Sequence, residues 1–300
     1  MILIVLGSEG FIGSHLCKHF ISLGYEVFGV DILETPANIK YHYTKVSRLS
    51  SQWEDLLKTT NVDICINAAG SGNVSYSVVH PVIDFEANTL DVLVFLDALR
   101  KYRPTCKYLH ISSAAVYGNP RTLPIKENDL LQPISPYGFH KRMSEIICKE
   151  YNQLFGISVA IVRPFSIFGN GLRKQLIWDI CNKMQKMENI SLFGTGNETR
   201  DFIHIQDFVV LIQIIIEKAA FSGEIYNAGC GVQTSIKHVA TIFEEHYQNK
   251  RTIRFDGNLR NGDPLNWEAD ITFTKNLGFL PTINFRSGLI DYINWFKSLK

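Results

Sequence analysis

The chain opens on a continuous apolar run, Ile2-Leu3-Ile4-Val5-Leu6, closed by Gly7. A short run with no polar alternation predicts a strand buried on both faces of a parallel sheet. Comparable runs recur at residues 27–30, 62–66, 107–111 and 157–162. Between them, apolar residues fall at helical spacing over 11–23, 53–59, 81–102 and 136–155. Strand and helix alternate throughout, so residues 1–163 read as an α/β domain built on a doubly wound parallel sheet. After Arg163-Pro164 the rhythm changes. A helix over 172–187, a short strand over 190–193 and a glycine turn over 194–197 come first. A very apolar helix at 207–218 is expected to pack back on the first domain. A helix over 235–247, a strand near Ile253 and a helix over 288–296 complete a smaller α/β domain, residues 164–300. No internal repeat or low-complexity tract appears.

The junction between the first strand and first helix reads Gly7-Ser8-Glu9-Gly10-Phe11-Ile12-Gly13. Three glycines at this spacing let the backbone turn tightly and approach a dinucleotide's diphosphate. The diphosphate then rests on the helix N-terminus formed by Gly10, Phe11, Ile12 and Gly13. The motif alone is weak, but a strand before it and a helix after it supply the context it needs. The second strand ends at Asp31, where a carboxylate accepts hydrogen bonds from a ribose diol and repels a 2′-phosphate. That favours NAD over NADP. Lys45-Val46 stands where an acidic residue near the adenine is common, so that contact is left open. Asn67-Ala68-Ala69-Gly70 follows the strand at 62–66. Ligands bind outside the carboxyl ends of such strands, so Ala68 and Ala69 are expected beside the nicotinamide.

The reacting groups are read from Ser112-Ser113, at the end of the strand at 107–111, and from Tyr137-Gly138-Phe139-His140-Lys141. Ser135 and Pro136 resemble an N-cap and first-turn proline, which starts a helix at Tyr137. Tyr137 and Lys141 are then four residues apart on one helix face. A phenol with a pKa of about 10 is a poor base at neutral pH. An adjacent ammonium lowers that value, and a serine hydroxyl in reach can hold a substrate oxygen while the proton moves. His140 is expected on another helix face in a surface or packing role. His110 and His204 read as structural, and Glu9 within the glycine loop has no account. Trp178 and Trp267 are candidates for the border of a sugar pocket.

Size and charge narrow the partners. With 300 residues and 46 % hydrophobic content, a large core is available. A net charge of +1 gives no global field for nucleic acid or an anionic membrane. The six cysteines are scattered with no C-x-x-C pair, which predicts free thiols in a reducing compartment and no metal site. The apolar N-terminus lacks a basic leader, and no apolar run reaches the ~18 residues that span a bilayer. A cytoplasmic protein is expected.

Together, Gly7, Gly10, Gly13, Asp31, Ser113, Tyr137, Lys141, the Thr199-Arg200-Asp201-Phe202-Ile203-His204 block and Arg260-Asn261-Gly262-Asp263 resemble the extended short-chain dehydrogenase/reductase family. The resemblance is to its nucleotide-sugar epimerases, dehydratases and reductases, and it spans nearly the whole chain. It implies an NAD-binding Rossmann domain followed by a nucleotide-sugar-binding domain. It makes Tyr137 the acid/base, Lys141 the holder of the nicotinamide ribose, and Ser113 the group that orients the sugar oxygen. Arg200 and Arg260 match positions that grip a nucleotide diphosphate, and Asp263 one that contacts the nucleotide ribose. Two departures matter. Dehydratases carry two acids after the catalytic hydroxyl residue; Ala114 and Ala115 stand there, which disfavours 4,6-dehydration. Ser166 stands where many epimerases have asparagine, so that substrate contact is shortened. A 4-epimerase and a 4-ketoreductase of a 4-keto-6-deoxy sugar use the same residues, and a non-catalytic dinucleotide-binding regulator is the alternative outside enzymes. Related enzymes dimerise through helices corresponding to 81–102 and 135–155, which implies a homodimer.

Overall fold

The structure is a computed structural model and describes residues 1–34, 40–47, 52–248, 251–258 and 262–299. Its first half alternates as β1 (Ile2–Leu6), α1 (Phe11–Ser22), β2 (Glu26–Asp31), β3 (His42–Lys45), α2 (Gln52–Thr59), β4 (Ile64–Asn67), α3 (Val74–Val79), α4 (Pro81–Phe85), α5 (Asp91–Tyr102), β5 (Lys107–Ile111), α6 (Pro136–Phe155) and β6 (Val159–Pro164). The second half contributes β7 (Ser166–Phe168), α7 (Gln175–Lys186), β8 (Asn189–Leu192), β9 (Thr199–His204), α8 (Ile205–Lys218), β10 (Ser222–Ala228), β11 (Gln233–Ser235), α9 (Ile236–His246), β12 (Thr252–Phe255), α10 (Thr272–Asn276) and α11 (Phe285–Ser298).

The main sheet has seven strands in the order β10-β6-β5-β4-β1-β2-β3, and every neighbouring pair is parallel. Successive side chains on a strand point to opposite faces. On β1, Leu3 and Val5 therefore join Leu16, Phe20, Phe208 and Ile212 of α1 and α8 on one face. Ile4 and Leu6 join Leu57, Phe95 and Leu99 of α2 and α5 on the other. This two-sided burial explains why the strands read as unbroken apolar runs. The apolar helix expected to fold back is α8, and it packs on α1. The seventh strand, β10, is not visible in the sequence as a run: Ser-Gly-Glu-Ile-Tyr-Asn-Ala lies at the sheet edge and alternates in burial only weakly. It returns to the sheet from well beyond residue 163.

The helix expected over 81–102 is not regular. Between α4 and α5, Glu86–Leu90 form one π-helical turn. The wider turn carries Asn88 inward, where it is buried and its amide donates to the Ser71 carbonyl at 3.2 Å. A second apolar cluster gathers α7, α9, α11, β8 and β12 around Phe168. Strand β9 sits between β7 and β11 in a three-stranded sheet, while β8 and β12 pair alone. A cleft of about 880 Å³ opens between the carboxyl end of the main sheet and this second cluster.

Candidate active site

The glycine loop is built by close approach. Gly7 has φ +76°, and a Cβ there would fall 2.8 Å from Ala69 Cα. A Cβ on Gly13 would fall 2.0 Å from the Gly7 carbonyl oxygen. Only glycines allow the loop to fold against the Ala68-Ala69 turn while the first turn of α1 faces the cleft. Gly10 is the N-cap and brings no side chain to satisfy the first N–H groups. Those donors, with Gly10, Phe11 and Ile12 on the cleft wall, suit a diphosphate. At the end of β2, Asp31 accepts from the Glu9 and Ile32 amides at 3.0 and 2.8 Å, which holds its carboxylate at the rim of the same loop. Glu9 is anchored by the Tyr41 hydroxyl. Ala68 and Ala69 line the cleft at the end of β4. This cradle fits NAD: small residues where the backbone must be approached, free donors for the diphosphate and an acid for the ribose.

The catalytic candidates meet where β5 ends. Ser113 follows the strand and its Oγ accepts from the Ala115 amide at 3.1 Å. Ser135 caps α6 by accepting from the Gly138 amide at 3.2 Å, and Pro136 occupies the first turn. This start sets Tyr137 facing the cleft, with its own amide on Ser77 Oγ at 3.1 Å. Ser113 stands near enough to the Tyr137 hydroxyl to favour its phenolate form, and both line the cleft. One turn later, Lys141 donates to the Ile111 carbonyl at 3.0 Å. A buried network locks β5 to α6: Glu145 accepts from Ser112 Oγ at 2.6 Å and from Arg163 at 2.8 and 2.7 Å. Arg163 also donates to the Tyr117 hydroxyl at 2.8 Å.

Burial pushes the Tyr137 phenol up to about 12, against the nearby Ser113 hydroxyl, which favours the phenolate. Burial pulls the Lys141 amine down to about 8, against the nearby Asp84 carboxylate. The expected lowering of Tyr137 by Lys141 is therefore absent in this structure. The lysine is turned to the Ile111 carbonyl, and burial sets the shift of both groups.

Across the cleft, Ser166 lies on β7 and Arg200 on β9, and both line it with Asp263. Arg200 donates to its neighbour's carbonyl, Thr199 O, at 2.8 Å and stands 5.7 Å from the Trp267 ring centroid. Burial lowers the pKa of its guanidinium, opposed first by Asp263 and then by Glu198. Trp178 and Trp267 both border the cleft. Arg260 lies outside the described residues. The structure thus brings Gly10, Phe11, Ile12, Ala68, Ala69, Ser113, Tyr137, Lys141, Ser166, Arg200 and Asp263 to one cleft. Gly7, Gly13 and Asp31 stand behind or beside it. Sequence reasoning misses Lys174 and the opening at Gly72, which carry no periodic or motif signal, and the pairing of Asp84 with His140. Among the described residues, no helix is long and apolar enough to cross a membrane.

Comparison with known proteins agrees with this construction. A Bacillus subtilis UDP-glucose 4-epimerase is 30 % identical over 303 residues, covering 90 % of this chain and 89 % of its own. A Methanocaldococcus jannaschii protein, provisionally named for the same activity, is 31 % identical over 304 residues, covering 99 % and 98 % of the two chains. The crystal structure of a Bacillus cereus UDP-glucuronic acid 4-epimerase, in complex with UDP-glucuronic acid and NAD, superposes with a TM-score of 0.91 at 27 % identity, covering 100 % of both chains. The profile of the NAD dependent epimerase/dehydratase family matches residues 3–229, which run from β1 through the glycine loop and the Ser113–Tyr137–Lys141 site to the end of β10. With its cofactor cradle and catalytic candidates held in that one matched span, this chain belongs to the NAD dependent epimerase/dehydratase family of enzymes.

Proposed function

We propose that the protein is a nucleotide-sugar 4-epimerase that inverts a UDP-linked hexose through a transient 4-keto sugar, with Tyr137 as acid and base. The observation that supports this reading is the placing of Ser113 beside Tyr137, with Lys141 one turn behind it, on the wall of a cleft that also holds the first turn of α1 and Arg200. Bound NAD supplies the acceptor and donor of a hydride. Ser113 would hold the C4 oxygen, and Tyr137 would take its proton and later return it. At neutral pH the free protein keeps Tyr137 protonated, the form that donates. Taking a proton requires the phenol's pKa to fall, and positive charge brought close to it does that. Lys141 is the donor for the nicotinamide ribose. Arg200 and Arg260 would pair with the diphosphate and Asp263 would meet the nucleotide ribose, while Ser166 leaves space beside them.

Elimination at C5 and C6 needs an acid and a base beside Ser113. Ala114 and Ala115 are there instead, and Ala115 lines the cleft. Of the other acids on the wall, Asp179 pairs with Lys183 at 2.8 Å, and Glu198 accepts from the Thr195 and Gly196 amides at 3.0 and 2.9 Å. The test follows the hydride. NAD-loaded protein is incubated with UDP-hexoses and, separately, NADH-loaded protein with 4-keto-6-deoxy nucleotide sugars. Interconversion of two hexoses without net cofactor consumption supports the epimerase. Stoichiometric oxidation of NADH with a reduced sugar makes it a 4-ketoreductase, and NAD binding without turnover leaves the regulator.

We further infer a homodimer. Helix α6 exposes Phe139, Met143 and Ile146, and α4 exposes Val82 and Ile83. A second copy of these helices would cover that apolar surface.

A further inference from the structure

One cation of the cleft has no task in the epimerase reading. Lys174 stands at the N-cap of α7 and lines the cleft. Its Nζ lies 3.6 Å from the point that a Cβ would occupy on Gly72, and the Tyr137 hydroxyl lies 4.0 Å from that same point. The amine and the catalytic phenol therefore both lie beside one point of the cleft wall, at Gly72. Gln175, the next residue, reaches back to the Gly72 carbonyl at 3.5 Å and ties this corner to the loop.

Among the described residues, no carboxylate pairs with Lys174. Of the acids of the cleft wall, Asp179 pairs with Lys183 and Glu198 accepts from the 195–196 amides, while the charge of Asp263 acts on Arg200. Lys174 is exposed as a residue, while crowding at the cleft wall removes enough water from its amine to lower the pKa, with no compensating partner. The first turn of α7 adds no acid and no side-chain cap, so its free N–H groups contribute positive potential beside the same amine. An unpaired cation beside the reacting phenol gains a charge-assisted hydrogen bond when an anionic group of the substrate reaches it.

We propose that Lys174 receives a carboxylate carried on C5 of the sugar, so that the substrate is a nucleotide-linked hexuronic acid. This rests on the 4-epimerase reading. With the C4 oxygen on Ser113 and Tyr137, the C5 substituent is the neighbouring ring group, while the diphosphate on C1 lies across the ring. The guanidinium over Trp267 serves the diphosphate. A neutral hydroxymethyl group would leave the amine unpaired.

The test is calorimetric titration of NAD-loaded protein with UDP-glucuronate, UDP-glucose and UDP alone, in the natural chain, Lys174→Met and Lys174→Arg, with 4-epimerisation followed in parallel. The natural chain is expected to bind the uronate at least ~10-fold tighter than UDP-glucose. Lys174→Met should lose that preference with little change for UDP-glucose or UDP, and Lys174→Arg should keep it. An equal loss for all three ligands would assign the amine to the diphosphate and overturn the proposal. Absence of a uronate preference in the natural chain, or no binding of either sugar, overturns it too. In the first of these cases turnover of UDP-glucose would leave the epimerase reading standing. Uronate-selective binding through Lys174 without epimerisation would instead sink the epimerase reading and keep the assignment of the amine.

Discussion

His140 Nδ1 lies 2.6 Å from Asp84 Oδ2, inside the layer where α4 packs on α6. Asp84 is fully buried, and its second oxygen has no hydrogen-bond partner among the described residues. His140 falls between Tyr137 and Lys141 on α6, so this carboxylate sits close to both. Its charge raises the proton affinity of each. The pattern around His140 suggests a surface or packing role away from the reaction. The helix pairing does give it a packing role, and in that role it meets a charge that acts on both Tyr137 and Lys141.

Asp84→Asn removes that charge and lets Lys141 lose its proton more readily, below its present value of about 8. The charged amine is the form that donates to the ribose. The alkaline limb of kcat/KM, expected near pH 8 in the natural chain, should move down by about one unit in Asp84→Asn. His140→Gln keeps the carboxylate and should leave the limb in place. Equal profiles for Asp84→Asn and the natural chain would remove Asp84 from the electrostatics of the site.

Lys141 also sets a pH dependence of stability. Its pKa is lowered from 10.5 to about 8 by burial. Below pH 8 both folded and unfolded chains hold the proton, and the fold bears the cost of burying it. Between the two values only the unfolded chain holds it, so the destabilisation by this group grows as pH falls through that window and is smallest above it. Lys141→Met should gain on the order of 3 kcal/mol at pH 7, less the lost bond to Ile111, and the gain should shrink toward pH 10. Urea unfolding at both pH values reads this directly; a gap that stays constant would refute it.

The Glu145–Arg163 pair is almost completely buried. Removing one partner strands the other charge. Arg163→Met and Glu145→Gln should each cost about 3–5 kcal/mol, and the double replacement less than the sum. Chemical denaturation of the three variants gives the coupling. Additive losses would mean that the two side chains act separately.

Gly13→Ala would press a Cβ into the Gly7 carbonyl at 2.0 Å. The carbonyl must move, and the loop then loses its fit to a diphosphate. NAD affinity should fall by ~100-fold or more, measured by fluorescence titration, while Tyr137→Phe should keep NAD affinity and lose most turnover.

Ile146 is 57 % exposed on α6. If a second copy covers this face, Ile146→Glu should shift the protein from dimer to monomer in sedimentation velocity. A natural chain that sediments as a monomer would refute the homodimer.

Much of the fold is written locally. The runs at 2–6 and 107–111 are buried on both faces, so their composition alone marks them as inner strands. Ser135-Pro136 marks the start of α6 because a cap and a first-turn proline act within a few residues. The glycines at 7, 10 and 13 and the Tyr137–Lys141 spacing are likewise local; they name the cofactor and point to the candidate reacting groups. Strand β10 stays hidden, because an edge strand needs no apolar run. The π-helical turn at Asn88 is hidden as well, since one extra residue per turn leaves the hydrophobic spacing almost unchanged.

Side-chain chemistry across long sequence distances was decided by packing. Nothing near Lys174 indicates that its amine and the Tyr137 hydroxyl flank one point; the Gly72 loop and the start of α7 bring them there. Asp84 meets His140 only because α4 lies on α6. The pKa of Tyr137 follows burial, which a sequence does not state. Residue types and short spacings therefore determined which chemistry this protein carries. The tertiary structure decided which charges face it, because electrostatic energy depends on distance and desolvation rather than on order along the chain.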